Sequence, residues 1–84
     1  MGRKTNQALE TALEAAVAAV GGTIERQAIM GNREILINAP DGYLWRDADA
    51  TQLVQVADEW TTYRAVLLDA IERVECGLYE GVVR

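Results

Sequence analysis

The residues most suggestive of chemistry are four oxygen-bearing side chains spaced along one acidic segment. Positions 1, 3, 5 and 12 of a twelve-residue calcium loop would be filled by Asp47, Asp49, Thr51 and Asp58. The sharp-turn position of such a loop requires glycine, and Gln52 occupies it. Asp58 is also shorter than the bidentate Glu that usually closes the loop. We therefore predict a solvated turn with a helix cap, and no metal site.

Catalysis by the usual nucleophiles has little support in the sequence. There is no histidine, so the common triads cannot form, and there is no glycine-rich phosphate loop. The single cysteine, Cys76, lies near the C-terminal end of a predicted helix, where the helix dipole disfavours a thiolate, and we expect it to be packed. Carboxylate pairs could act as acid and base, but 84 residues leave little room for a pocket. The prediction is a non-enzymatic protein without a cofactor.

The charge balance disfavours nucleic acid and anionic membrane as direct ligands. The chain has a formal charge of −5, and from Thr5 to Arg84 thirteen acids face six bases. Phosphate binding requires clustered Lys and Arg, and anionic lipids repel an acidic body. A protein with a basic surface would instead be attracted. The lone cysteine indicates a reducing, cytoplasmic setting, and no apolar run is long enough to cross a membrane.

The acids are densest between Asp41 and Glu59, where five of them stand against a single base, Arg46. Asp41 belongs to a turn signal, and one of Asp49 or Asp58 is expected to cap a helix. We expect a partner to contact the remaining acidic edge, whose members are Asp47, Asp49, Asp58 and Glu59.

Two tryptophans lie within or beside this acidic edge and could anchor an interface. Trp45 falls on the apolar face of a predicted strand, and Trp60 falls on the apolar stripe of a predicted helix. Large aromatic side chains are mostly buried in folded domains, so we predict that both tryptophans belong to the core.

The elements that position these residues begin with a helix over residues 5–20. Its apolar face comprises Leu9, Leu13, Ala16, Val17 and Val20. Thr5 or Asn6 can cap its start, and Gly21-Gly22 can end it. Residues 23–39 then predict a hairpin with Gly31-Asn32 as a two-residue turn of type II′.

That turn pairs Met30 with Arg33 and sorts most apolar side chains of the hairpin onto one face. The residues of this face are Ile24, Ala28, Met30, Ile35, Ile37 and Ala39. Arg26 is the exception on this face, where it either pairs with a helix carboxylate or extends to water. The signal Ala39-Pro40-Asp41-Gly42 predicts a turn into a third strand that pairs Trp45 with Ile37.

Two interpretations fit the chain after Trp45. In one, Asp49 and Gln52 form a capping box, and a helix runs from about residue 50 to residue 76. In the other, residues 51–56 form a fourth strand and Asp58 caps a helix over residues 59–76. The second is favoured because a helix of about 40 Å is long for so small a domain. Gly77 ends the helix in either case.

Three segments of the C-terminal half resemble segments of small phage-encoded accessory proteins. They are Ala39-Pro40-x-Gly42-Tyr43-x-Trp45, Thr51-x-Leu53-Val54, and Ala70-Ile71-Glu72-Arg73-Val74-Glu75-x-Gly77-Leu78. In such proteins the blocks form a strand, a strand and a helix, which also favours the fourth strand. Anti-CRISPR proteins are one functional group of small acidic phage proteins, and they bind host surveillance machinery, many by blocking its basic nucleic-acid channels. The resemblance therefore implies an inhibitor of that kind.

These observations predict one α+β domain over residues 1–84, with residues 1–4 as a flexible basic N-terminus. We expect an N-terminal helix, a three- or four-stranded antiparallel meander and a C-terminal helix, with both helices on one sheet face. The leading hypothesis is an acidic protein-binding module that occludes a basic surface on a host nucleic-acid-binding protein. The alternative is a structural or regulatory homo-oligomer, such as a homodimer, associating through an uncovered apolar face.

Overall fold

The computed structural model describes residues 5–80, so the predicted flexible N-terminus lies outside the described residues. Their elements follow in the order α1 (Asn6–Ala19), β1 (Thr23–Ile29), β2 (Asn32–Asn38), β3 (Tyr43–Trp45), β4 (Gln52–Ala57), α2 (Tyr63–Gly77) and β5 (Leu78–Glu80). The α+β class and the fourth strand are confirmed. In residues 5–80, no helix combines the length and apolar character needed to cross a membrane.

Both helices begin at a threonine cap. The Thr5 hydroxyl accepts a hydrogen bond from the Ala8 amide at 3.1 Å, and the Thr62 hydroxyl accepts one from the Ala65 amide at 3.1 Å. The prediction that Asp58 or Asp49 caps the second helix is therefore wrong. Asp58 lies too early in the chain, because four residues, 59–62, separate it from the first helical residue, Tyr63.

The β1–β2 hairpin keeps the predicted faces along its strands but has a different turn, so the prediction that Met30 lies on the apolar face is wrong: it is a turn residue and is 96% exposed. Met30 and Gly31 are the two turn residues, with φ of 53° and 85°, as a type I′ turn requires. Ile29 consequently pairs with Asn32, so the predicted register is wrong by two residues. A shift of two keeps every side chain on its own face, because the side-chain period of a strand is two.

The main sheet is antiparallel with the strand order β1-β2-β4. The predicted pairing of Trp45 with Ile37 is wrong, because β3 pairs with β5 in a separate two-stranded sheet. The longer β4 lies beside β2 instead, in a register that sets Leu53 opposite Ile37. Six paired residues satisfy more backbone groups than the three residues of β3 could.

The core lies between the two helices and one face of this sheet. It comprises Leu9, Leu13, Val17, Ile35, Ile37, Trp45, Leu53, Ala57, Val66, Leu67, Ala70 and Val74. The two helices also contact each other and form one layer on this face of the sheet. The opposite face carries Glu25, Leu36 and Val54 in one row and has no element of residues 5–80 packed on it. We call it the open face.

Trp45 is confirmed as a core residue. It is 0% exposed, and its indole Nε1 donates a hydrogen bond to the Ile37 carbonyl oxygen at 2.8 Å. A buried indole N–H requires such a partner, and β2 supplies it. This bond ties the short β3 segment to the main sheet although the two do not pair as strands.

Candidate functional site

The four predicted contact residues do not form one cluster. Asp47 and Asp49 lie in the turn that precedes β4, whereas Asp58 and Glu59 follow its last residue. Six residues of extended strand span about 20 Å, so the two pairs lie at opposite ends of β4. The oxygens of the calcium-loop pattern are therefore also kept apart. Within residues 5–80, no group of three metal-ligating side chains is close enough to hold an ion.

The first acidic pair is partly engaged in structural contacts. The Asp47 carboxylate lies 3.1 Å from Arg73 Nε, which also approaches Asp69 at 3.8 Å in an i,i+4 pair. Asp49 is exposed and has a φ of 49°, a left-handed conformation that Asp tolerates in turns. Asp47 is therefore a weaker attractor for a partner than its formal charge suggests.

A groove of about 380 Å³ lies beside this pair, lined by Asp47, Asp69, Glu72, Arg73, Cys76 and Gly77. Cys76 is exposed, so the prediction of a packed cysteine is wrong. It lies on the flank of α2 away from the buried stripe of Val66, Ala70 and Val74. The one cation that lines the groove, Arg73, is paired with Asp47 and Asp69, so it is not placed to stabilise a Cys76 thiolate.

Asp58 fixes the conformation of the loop that carries the second acidic pair, Asp58 and Glu59. Its Oδ1 accepts hydrogen bonds from the Trp60 amide at 2.8 Å and the Thr61 amide at 3.0 Å. The Asp58 amide in turn donates to the Thr61 carbonyl oxygen at 3.1 Å. These bonds fix the β4–α2 loop as a compact Asx turn and aim residue 60 outward.

Trp60 is 85% exposed, so the prediction that it belongs to the core is wrong. The helix starts at Tyr63, three residues later than the apolar stripe suggested, and the Asx turn leaves Trp60 outside it. Thr62 caps the helix, so Trp60 lies two residues before the cap and outside the buried face of α2. An indole held in water on a fixed loop is unusual for a purely structural residue.

Met30 lies at the same end of the sheet and is 96% exposed. The β1–β2 turn and the β4–α2 loop are neighbours there, because Arg33 pairs with Ala57. A shallow groove of about 440 Å³ runs between them, lined by Met30, Gly31, Asn32, Arg33, Ala57, Asp58, Glu59, Thr61 and Tyr63. We call the surface formed by Met30, Gly31 and residues 58–61 the turn end.

The turn end is acidic. Asp58 and Glu59 face a single cation of the groove, Arg33, whose guanidinium carbon lies 4.2 Å from the centroid of the Tyr63 ring. That cation–π contact holds the Arg33 head against the protein. Two large apolar side chains beside two carboxylates form a surface suited to a partner that offers an apolar pocket with basic groups around it.

The same side of the molecule carries a network between α1, β1 and α2. Arg26 donates from Nη2 to Glu14 at 3.0 Å, and its Nε lies 3.8 Å from Glu10. The Tyr63 hydroxyl donates to the Glu10 carboxylate at 2.6 Å. Of the two alternatives for Arg26, pairing with helix carboxylates is therefore correct. The hydrogen bond to Glu14, above all, raises the pKa of Arg26.

Tyr63 predicts a dependence of stability on alkaline pH. Burial and, second, the hydrogen bond to Glu10 raise the pKa of Tyr63 above its ordinary value of 10.0. A pKa raised by folding adds stability that is complete below the unfolded value and is lost as the pH rises through the folded one. We expect the free energy of unfolding, measured with urea, to decline above about pH 10. In Tyr63→Phe this decline should be smaller, and an equal decline in both proteins would contradict the assignment.

The sequence contained two signals for the turn end, and the helix periodicity masked the first of them. Thr62 directly precedes the apolar run of α2, which is the place of a preferred N-cap residue. Starting the helix there would have left Trp60 in the loop. For Met30 the signal was the glycine that follows it. Glycine suits the second central position of a type I′ turn, and Met30 then takes the first with a positive φ.

Comparisons with protein-family models, with curated proteins and with solved structures find no match to this chain.

Proposed function

We propose that this protein is a non-enzymatic binding module that docks its turn end onto a basic surface of a nucleic-acid-binding protein. The observation that carries the proposal is Trp60, 85% exposed on a loop fixed by two hydrogen bonds to Asp58. Tryptophan is enriched among the residues that dominate binding energy, and a preorganised loop reduces the entropy lost on docking.

The chemistry of the partner follows from what surrounds Trp60. Asp58 and Glu59 directly precede it in sequence, and the chain as a whole carries a formal charge of −5. Basic groups around an apolar pocket would complement this surface and accelerate association. Surfaces of that kind are typical of proteins that bind nucleic acid, so occupation of one would block the nucleic acid.

Inhibition in the manner of anti-CRISPR proteins is one specific form of this proposal. It is supported by the sequence resemblance of residues 39–78 to small phage-encoded proteins, together with the acidic charge. Action in the cytoplasm fits the exposed thiol of Cys76, which a reducing setting would keep free. Asp47 and Asp49, at the far end of β4, would act at longer range, by steering.

The test is capture from the heparin-binding fraction of a bacterial lysate, followed by affinity measurement with the protein captured. We expect Trp60→Ala to weaken that affinity by tenfold or more, about the cost of losing an interface hot spot. Affinity should also fall from low to high salt, because screening removes the attraction between acids and bases.

Leu68→Ala is the matched control, because Leu68 is another exposed large apolar residue, 48% exposed, on the outer side of α2. It should leave affinity unchanged, whereas Glu59→Lys should weaken binding and Asp47→Lys/Asp49→Lys should mainly slow association. Equal affinities for Trp60→Ala and Leu68→Ala would refute the turn end as the docking surface. Affinity independent of salt would refute a basic partner.

A further inference from the structure

The outer edge of β4 has backbone groups without a strand partner. In residues 5–80, β4 pairs with β2 on one side and with no strand ladder on the other, where the one pairing is a single bridge of Trp45 with Ala50, just before the strand begins. The Ala39 amide donates to the Thr51 carbonyl oxygen at 2.8 Å, which sets the alternation of the ladder. Every second residue from Thr51 therefore bonds toward β2, and the residues between them direct their N–H and C=O outward. The outward residues are Gln52, Val54 and Val56.

This edge lacks the features by which natural sheets prevent pairing. From Gln52 to Ala57 it contains no charged residue, no proline and no glycine. Val54 and Val56 are 50% and 36% exposed on the open face, so the edge is accessible. The other edge strand, β1, differs, because it carries Arg26 on the inner face, bonded to Glu14. An inward-pointing charge is a recognised protection of a sheet edge.

We propose that β4 pairs with β4 of a second copy, forming a two-fold symmetric dimer with a continuous six-stranded antiparallel sheet. The register that uses every outward group sets Val54 opposite Val54 of the second copy, with each Gln52 opposite a Val56. On the inner face, each Leu53 then lies opposite a Gln55. No charged residue faces a charged residue within the paired strands.

The second copy fits this edge better than an unrelated peptide does because the strand is self-complementary about Val54. An antiparallel second copy sets its own outward N–H and C=O groups opposite those of the first, and valine is among the best strand formers. A domain of 84 residues also gains stability from burying more surface. The polar residues of the open face do not oppose the pairing, because Asn38 already bonds to Thr23, and Gln52 to Asn38.

The dimer has an electrostatic consequence. The register sets Val56 of one chain opposite Gln52 of the other, so Asp58 and Glu59, which follow Val56, approach Asp49, which precedes Gln52. The two acidic pairs that β4 separates within one chain meet across the two-fold axis. Their repulsion weakens the dimer at low salt, and screening strengthens it. This salt dependence is opposite to that of the proposed complex with a basic partner.

The experiment is sedimentation equilibrium of the whole chain over a range of concentrations at low and at high salt. The expected result is a monomer–dimer equilibrium whose dissociation constant falls as salt rises. Amide hydrogen exchange by NMR should show Val54 and Val56 becoming more protected as concentration increases. A monomer at all concentrations and both salts overturns the proposal, as does a dimer in which those two amides gain no protection.

Val54→Lys is the decisive variant, because it sets two lysines directly opposite each other at the centre of the pairing. We expect its dimer dissociation constant to rise at least tenfold. Gln27→Lys adds the same charge to the open face but on β1, and should leave that constant within about twofold, a change expected of a distant surface site. Equal weakening by both variants overturns edge pairing.

These outcomes are independent of the proposed function. Trp60→Ala should leave dimerisation unchanged, since Trp60 lies beyond the paired strand. Loss of partner capture with an intact dimer would therefore refute the proposed function alone. An absent dimer with intact, salt-sensitive capture would refute the dimer alone.

Discussion

Trp45→Ala is expected to leave the chain largely unfolded at 25 °C. The Trp45 side chain is fully buried, and it lies in the core with residues of both helices and of β2. Removing a buried tryptophan costs about 3–5 kcal/mol from lost transfer energy and the cavity left behind. The hydrogen bond from its indole to the Ile37 carbonyl is lost as well. Natural domains are stable by only about 0.05–0.15 kcal/mol per residue, so for 84 residues this loss removes a large part of the total stability.

Trp60→Ala is the matched control, because it removes the same side chain from an 85% exposed position. We expect it to change the free energy of unfolding by no more than about 0.5 kcal/mol, as surface substitutions usually do. Urea titrations followed by far-UV circular dichroism measure both variants. Similar losses from the two substitutions would mean that Trp60 packs against the protein in solution.

The two tryptophan substitutions also distinguish an effect on stability from an effect on binding. Trp60→Ala should fold normally and lose partner affinity, whereas Trp45→Ala should lose both because it loses the fold. A Trp60→Ala protein that folds and still binds at full affinity would move the docking surface away from the turn end. The remaining exposed candidates of the acidic edge would then be Asp47 and Asp49, at the other end of β4.

Gly22→Ala is expected to give the second large loss of stability. A Cβ at residue 22 would lie 2.4 Å from the Asn38 carbonyl oxygen and 3.1 Å from Val17 Cγ1. The Asn38 oxygen is backbone at the end of β2, so relief requires α1 and the sheet to move apart. Overpacking of this kind costs about 1–3 kcal/mol, and backbone displacement places this site at the upper end.

Gly77→Ala is a control that we expect to raise the free energy of unfolding, whereas Gly22→Ala lowers it. Gly77 is the last residue of α2, and no atom lies within 4 Å of a Cβ built there. Alanine should stabilise the protein by about 0.4–1 kcal/mol, because it restricts the unfolded chain and favours the helix. Urea midpoints of the two variants should therefore lie on either side of the natural protein. A Gly22→Ala midpoint equal to that of the natural protein would show that the α1–β1 junction is looser than its geometry indicates.

The two proposed surfaces use different parts of the molecule and respond oppositely to salt. The turn end combines Trp60 and Met30 with carboxylates, whereas the β4 edge offers uncharged backbone groups beside valines. If both proposals hold, the dimer presents two turn ends, each beside Asp49 of the other chain. A basic partner that binds this combined surface would stabilise the dimer by mass action.

Local patterns determined a large part of this protein without reference to distant contacts. The period of the apolar residues specified α1 and the faces of the hairpin, and the threonine and glycine signals specified both ends of α1. Trp45 was recognised as core because its alternation placed it on an apolar face. Each of these rests on a backbone periodicity or a cap, which a few neighbouring residues decide.

The tertiary structure alone decided which strands pair and what stays exposed. Whether β3 or β4 lies beside β2 depends on the number of backbone bonds and the buried area gained across the whole domain, which no local pattern records. That choice set β4 at the sheet edge and placed the two acidic pairs at its opposite ends. Trp60 satisfied the helical stripe in sequence, yet the cap at Thr62 and the bonds to Asp58 left it in water. Its exposure followed from competition between a local turn and helix extension, and the packed structure resolved that competition.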